Sequence, residues 1–161
     1  MNKRPVARQC VDAGAAQVSL TITAENLAPT NSISFAPLHF GVHSNTFDAF
    51  NIGQFATAPI ISVAEGGGGE AWQAAFAAAD PTATRGTIGM PLFPGMSRSL
   101  TAMVDTTINP FFTFASMAIP SNDFFIGNDA AIRLFNTDGS LRALPAPPGG
   151  TRLCLALPLA I

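Results

Sequence analysis

The sequence predicts an all-β protein, an antiparallel sandwich of short strands with one short helix at about 70–80. Three observations carry that expectation. Several segments alternate apolar and polar residues with a period of two, the mark of a strand with one buried face. Clusters of Pro, Gly and Asn separate these segments at short intervals. Only Glu70 to Asp80 carries helical spacing, so there are too few helices for repeated βαβ units.

Taken in order, Gln17 to Glu25 (QVSLTITAE) sets Val18, Leu20, Ile22 and Ala24 against Ser19, Thr21, Thr23 and Glu25. Asn26 to Ser32 has the Asn, Pro and Thr of a turn. Ile33 to Gly41 predicts a second strand, interrupted by Pro37, which lacks the N–H that a ladder needs and so implies an edge or a bulge. His43 to Gly53 reads as a polar and aromatic connection. Ala58 to Glu65 (APIISVAE) is β-branched and apolar and predicts a strand, running into a flexible Gly66 to Gly69 loop.

In Glu70 to Asp80 (EAWQAAFAAAD), Trp72, Ala75, Phe76 and Ala79 share one helix face, and Asp80-Pro81 closes the helix. Thr84 to Gly95 reads as a loop punctuated by Pro91, Pro94 and Gly95. Met96 to Asp105 alternates again, with Leu100, Ala102 and Val104 on one side, and Phe111 to Ala118 is apolar enough for a central strand. Ala130 to Leu144 predicts a hairpin turning at Asp138-Gly139. The organisation is then a degenerate leader over 1–16, a sandwich over 17–144 and a Pro/Leu-rich tail over 145–161. The tail has no alternation and is not read as a strand, although it could cover a sheet edge.

Composition excludes several classes of function. With 48% hydrophobic and 11% charged residues, the chain cannot be intrinsically disordered, which requires the opposite balance. The net charge is −2, and no Lys or Arg lies between Arg8 and Arg85, whereas nucleic acid is held by clustered basic residues. No apolar run is long enough for a transmembrane helix. Met1 to Arg8 is basic and Ala13 to Gln17 resembles a small-residue cleavage region. Gln9-Cys10-Val11-Asp12 stands where a signal peptide needs its apolar stretch, so the expectation is an altered start. Cys10 and Cys154 lie near opposite ends and could pair only if the termini are neighbours.

No catalytic set emerges. His39 and His43 would share a helix face, but Pro37 and Gly41 disfavour a helix; in a strand they lie roughly 13 Å apart, too far for one ion. The glycine run lacks the Lys-Ser/Thr of a phosphate-binding loop, and there is no nucleophile elbow. The acids carry more. Asp123 and Asp129 bracket FFIGN, each preceded by Asn, and a hard cation such as calcium takes six to eight oxygens from such groups. The spacing does not match an EF-hand loop, and on these residues alone ordinary Asx turns at strand ends are the favoured reading.

The order VSLTITAENLAP, SFAPLHFGVHSNTFDAFNIGQFAT, ISVAEGG, PLFPGMSRSLT and FASMAIPSNDFFIGND resembles a bacterial spondin domain, over about Val18 to Phe135. Such domains stand at the N-terminal side of F-spondin and mindin, and alone in many secreted bacterial proteins. The most specific part runs from Ser116-Met117 to Gly127. The resemblance implies a C2-like antiparallel β-sandwich, an extracellular location, a calcium ion as in the animal members, and adhesion to matrix, surface protein or glycan. Enzyme activity is not implied.

The family's calcium-binding Asp before an aromatic maps onto Asp123. Its remaining side-chain ligands lie in a later Asp-Ala-Gly-Thr-Asp/Glu motif, which this sequence lacks, and from Leu141 the chain departs from the pattern. Glu65 falls where the family has Ala-Glu-Asp-Gly, with Gly66 in place of that Asp. Either the calcium site is truncated, or Asp129 and Asp138 replace the missing ligands. The altered ends suggest a shifted or misassembled reading frame. The expected function is a non-enzymatic adhesion module that binds through loops near Asp123 and Gly66 to Gly69. A secreted carbohydrate-binding or hydrolytic protein using the acidic loops is the alternative, and a damaged, functionless fragment is a third reading.

Overall fold

The computed structural model of the chain describes residues 17–89 and 91–142, and the backbone of 151–156. The leader-like 1–16, Cys10 with its pairing to Cys154, and the rest of the tail lie outside the described residues. The strands are β1 (Gln17–Asn26), β2 (Ser34–Phe35), β3 (Leu38–His43), β4 (Thr84–Ile88), β5 (Ser97–Asp105), β6 (Phe111–Ile119), β7 (Phe125–Gly127), β8 (Ile132–Arg133) and β9 (Thr151–Ala156). They form two antiparallel sheets. One has the order β5-β1-β9; the other is β2-β6-β3-β4, with β7 and β8 also pairing with β6.

The period-two segments supply the seam between the sheets. Leu20, Ile22 and Ala24 of β1 and Val104 of β5 pack with Leu38, Phe40, Val42, Phe112 and Ala118 of the other sheet, all buried. Burying each of the larger of these side chains stabilises the fold by about 1.5–3 kcal/mol. The wet face of β1 is tied to β5 by hydroxyl pairs, Thr21 with Thr101 at 2.8 Å and Thr23 with Ser99 at 2.7 Å.

β3 is buried at all six positions, because the second sheet is covered on both sides. Leu38, Phe40 and Val42 face the first sheet. His39 and His43 face helix α2 (Glu70–Ala79), whose Trp72 and Phe76 are both buried. Gly41, between the histidines, leaves room for the Phe76 ring, into which any Cβ there would project. Phe47, Ile60, Val63, Trp72, Phe76 and Ala115 make this second core. The molecule is therefore sheet, sheet and helix pair in three layers.

Four expectations are corrected. Ala58 to Glu65 is not a strand but helix α1 (Ala58–Gly66), so there are two short helices among the described residues. Its buried residues Ile60, Val63 and Ala64 have i, i+3, i+4 spacing, and proline stands in its first turn, where a missing N–H does no harm. The glycine run is no free hinge. Gly67, at φ 65°, caps α1 through a 2.9 Å bond from its N–H to the Val63 carbonyl, and Gly69 packs against the His39 ring. Thr84 to Ile88 is a strand, β4, rather than loop; Gly86 there gives the Phe40 ring its space. The tail contributes β9, which pairs with the outer edge of β1 from Thr21↔Ala156 to Asn26↔Thr151.

The remaining elements lie where the pattern puts them. β6 is central, pairing with β2, β3, β7 and β8. The segment after Ala130 folds into a small hairpin, with Gly139 at φ 81° and a bridge between Phe135 and Leu141.

Candidate functional site

The seam between α2 and β3 gathers the chain's two histidines and a buried acid. His43 Nδ1 accepts from the Asn45 N–H at 3.2 Å, so Nε2 carries the proton and donates to the Thr113 hydroxyl at 3.0 Å. His39 Nε2 donates to the Gly67 carbonyl at 3.1 Å, and its Nδ1 accepts from the Thr87 hydroxyl at 3.0 Å. Burial holds both imidazoles below their ordinary value, against smaller opposing effects of the Gly67 carbonyl on His39 and of Asp80 on His43. With both nitrogens of each ring engaged, neither offers a lone pair to a metal or a substrate.

Asp80, at the end of α2, is 2% exposed. Its Oδ2 accepts from the Ser44 N–H (2.8 Å) and hydroxyl (2.7 Å), and its Oδ1 from the Thr82 N–H (3.0 Å) and hydroxyl (2.7 Å). Burial by itself would raise this carboxyl; the Ser44 and Thr82 donors outweigh it and hold Asp80 well below the usual carboxylate range. Asp80 thus locks the helix to the connection after β3. Its role is positional.

The acids singled out from the sequence separate into three places. Asp123 and Glu65 line one pocket of about 130 Å³, between α1 and the turn before β7. That turn is set by Ser121, whose hydroxyl donates to the Ala118 carbonyl at 2.6 Å and accepts from the Phe124 N–H at 3.1 Å. Asn122, Asp123 and Phe124 are pushed outward as a result. Asp129 lies instead in an open depression of about 390 Å³ with Asn45, Asp48, Asn51 and Phe111. Its Oδ1 accepts from the Ile52 N–H at 3.2 Å, while Asp48 accepts from Asn51 at 2.7 Å. Asp138 sits apart in the hairpin, accepting from the Ser140 hydroxyl at 2.6 Å and N–H at 2.9 Å, which hold it below its ordinary value. Asn128, between the two bracketing acids, is tied to the sheet: it accepts from the Phe114 N–H and donates to the Phe112 carbonyl, at 2.8 and 3.1 Å.

This arrangement bears on a calcium ion at Asp123. The side chains around that pocket offer two carboxylates, Asp123 and Glu65; the others are Ala56, Ile60, Ile61, Ala64 and Phe125. A hard cation takes six to eight oxygens, and an apolar wall with two carboxylates does not fit it. Among the described residues no three of His, Cys, Asp and Glu gather as a metal site.

Sequence reasoning missed the exposed apolar side chains of this part of the chain. Phe55 is 102% exposed, Ile52 80%, Phe124 60% and Ile61 39%. Ile52 and Phe55 flank the Gly53 turn (φ 85°) that leads into α1, Ile61 stands on α1, and Phe124 is the neighbour of Asp123. Reading APIISVAE as a strand concealed Ile61, because alternation assigns Ile61 and Val63 to one face, whereas the helix buries Val63 and exposes Ile61. Trp72, by contrast, is wholly buried and offers no surface for sugar stacking. No protein-family model matches the chain, and no curated protein is found similar to it.

Proposed function

We propose that the chain is a non-enzymatic extracellular binding module of the spondin type, with a C2-like sandwich as its scaffold. The observation that carries the reading is the group of exposed large apolar side chains at the Glu65 and Asp123 pocket: Ile61 in its wall, Phe55 next to the lining Ala56, and Phe124 between the lining Asp123 and Phe125. Exposed aromatic side chains beside an apolar pocket are a kind of surface that interaction sites use. The engagement of both histidine rings in hydrogen bonds supports a binding role over general acid–base chemistry. The reading assigns calcium no part at Asp123.

The test is saturable binding of the purified chain to a panel of immobilised matrix proteins, cell-surface proteins and glycans. The double substitution Phe55→Ser, Phe124→Ser is expected to weaken the response about tenfold, as loss of buried aromatic anchors does. Met103→Ser, exposed on β5 of the other sheet, leaves it unchanged. Equal binding by all three proteins would sink the proposal.

One observation favours a second reading. The Asp129 depression joins two carboxylates, two amides and the Phe111 ring, groups suited to sugar hydroxyls and to the apolar face of a pyranose. Glycan binding lost on Asp48→Ala but kept in the Phe55, Phe124 double variant would select a carbohydrate binder. Turnover of the glycan would select a hydrolase.

A further inference from the structure

We infer that the pocket between Glu65 and Asp123, with the exposed Phe55 and Phe124 next to its lining residues, receives a cationic, apolar segment of a partner protein, one that presents a large aliphatic or aromatic side chain flanked by Lys or Arg. The inference deepens the binding-module reading and rests on it.

Pocket size narrows the ligand first. A volume of about 130 Å³ is below the roughly 300–1,000 Å³ of sites that enclose a small molecule or cofactor. It suits one inserted side chain. The wall of Ala56, Ile61, Ala64 and Phe125 selects an apolar one, and the exposed Phe55 and Phe124 extend the contact outside the pocket.

Charge narrows it further. Glu65 and Asp123 stand on the same pocket, neither carboxylate receives a hydrogen bond from another described residue, and no Lys or Arg lines the wall. Their neighbours in sequence offer no compensation, since no Lys or Arg lies between Arg8 and Arg85 or between Arg98 and Arg133. An apolar partner without positive charge would cover two carboxylates and leave them desolvated and unpaired, which is unfavourable. A partner that brings Lys or Arg beside its apolar anchor pairs them at the rim, where charges set orientation and association rate. An anionic membrane surface is disfavoured by the same two carboxylates.

The experiment uses the full chain and three short synthetic peptides: Leu/Lys, its charge-inverted Leu/Glu counterpart, and Lys/Ser, which keeps the charge and removes the apolar residues. Fluorescence anisotropy is expected to show saturable binding of Leu/Lys alone. Phe55→Ser with Phe124→Ser weakens it about tenfold. Glu65→Gln with Asp123→Asn also weakens it about tenfold and removes most of its salt dependence. All four positions are exposed, so unchanged melting curves will show that the variants remain folded.

Leu/Glu binding as tightly as Leu/Lys, or full affinity in the Glu65, Asp123 variant, would overturn the proposal. So would binding to phosphatidylglycerol vesicles without binding to Leu/Lys. Two other occupants are also distinguishable. If neutralising Lys3, Arg4 and Arg8 raises peptide affinity about tenfold, the chain's own N-terminal segment fills the pocket. If the exposed Phe55 and Phe124 serve self-association, the wild type sediments as a dimer that Phe55→Ser with Phe124→Ser disperses. Either result overturns the proposal. If partner binding on the immobilised panel depends on Phe55 and Phe124 but not on the two acids, the module reading stands and this one fails.

Discussion

Two regions on the same outer side of the second sheet treat their acids in opposite ways. At the seam of α2 on β3, Asp80 is buried and receives four hydrogen bonds from Ser44 and Thr82. At the edge between α1 and β7, Glu65 and Asp123 receive none from a described residue, and large apolar side chains stand exposed beside them. The seam is closed by rings, with Phe47 stacked on Phe76 at 3.9 Å and His43 edge-on to Phe76 at 5.0 Å. Its one lapse is Trp72 Nε1, buried without a hydrogen-bond partner among the described residues. A carboxylate surrounded by donors is part of the scaffold. One set in an apolar wall without donors is available to a partner.

The sharpest way to break this comparison is to remove the seam's acid. Asp80→Ala removes the carboxylate that the Ser44 and Thr82 donors share, and should destabilise the fold by about 3 kcal/mol, the scale of a lost group of charge-assisted hydrogen bonds. Urea denaturation measures it; an unchanged midpoint would mean that the seam does not depend on Asp80. A smaller loss, about 2 kcal/mol, is expected for Gly41→Ala, because its Cβ would enter the Phe76 ring and push α2 from β3. Gly66→Ala, where a Cβ meets no atom within 4 Å, is the control.

Which acids belong to the scaffold was legible in the sequence, though not from their spacing to one another. Asp80-Pro-Thr82, Asp105-Thr-Thr107 and Asp138-Gly-Ser140 each place a hydroxyl two residues after the acid, and in each the hydroxyl and the N–H both donate to the carboxylate. Asp48, Asp123 and Asp129 have Phe50, Phe125 and Ala131 at that position and lack the turn. Alternation likewise located β1 and β5, because each has one face on the inter-sheet core, and near-continuous apolarity located the central β6. Alternation failed where a second buried layer changes the pattern. β3, buried on both faces, does not alternate and is legible only as the apolar end of Ile33 to Gly41; α1 is too short and β-branched to distinguish from a strand by composition, and β4 replaces a large inward residue with Gly86. The pocket at Asp123 joins residues almost sixty positions apart in sequence, and once α1 was read as a strand nothing local could bring them together.

Acid should act on the seam before it acts on the edge. Burial lowers the folded-state values of His39 and His43 below the ordinary 6.5, so below that pH the unfolded chain binds protons that the fold refuses. Stability is complete above about 6.5 and declines as pH falls toward the lower folded values. Asp80, also lowered on folding, has the same sign in a lower window: its contribution is present above the usual carboxylate range and is lost as pH falls through and below it. Thermal melts from pH 8 to 3 should therefore decline in two stages. His43→Gln should reduce the first, and an unaltered first stage in a variant lacking both histidines would refute the assignment.

The smallest stability effect is expected at the edge. Glu65→Gln with Asp123→Asn removes two charges that receive no hydrogen bond from a described residue and lie at an exposed rim. Exposed substitutions away from structural partners shift stability by less than about 0.5 kcal/mol. The same geometry bears on calcium. A ligand that binds only the folded state raises its melting temperature according to its concentration over Kd, and two carboxylates on an apolar wall give calcium little to hold. Millimolar calcium should leave the melting temperature of the wild type and of this double variant equally unmoved. A rise of several degrees in the wild type, absent from the double variant, would show that the two acids hold a metal, and that the edge, like the seam, already has partners for its carboxylates.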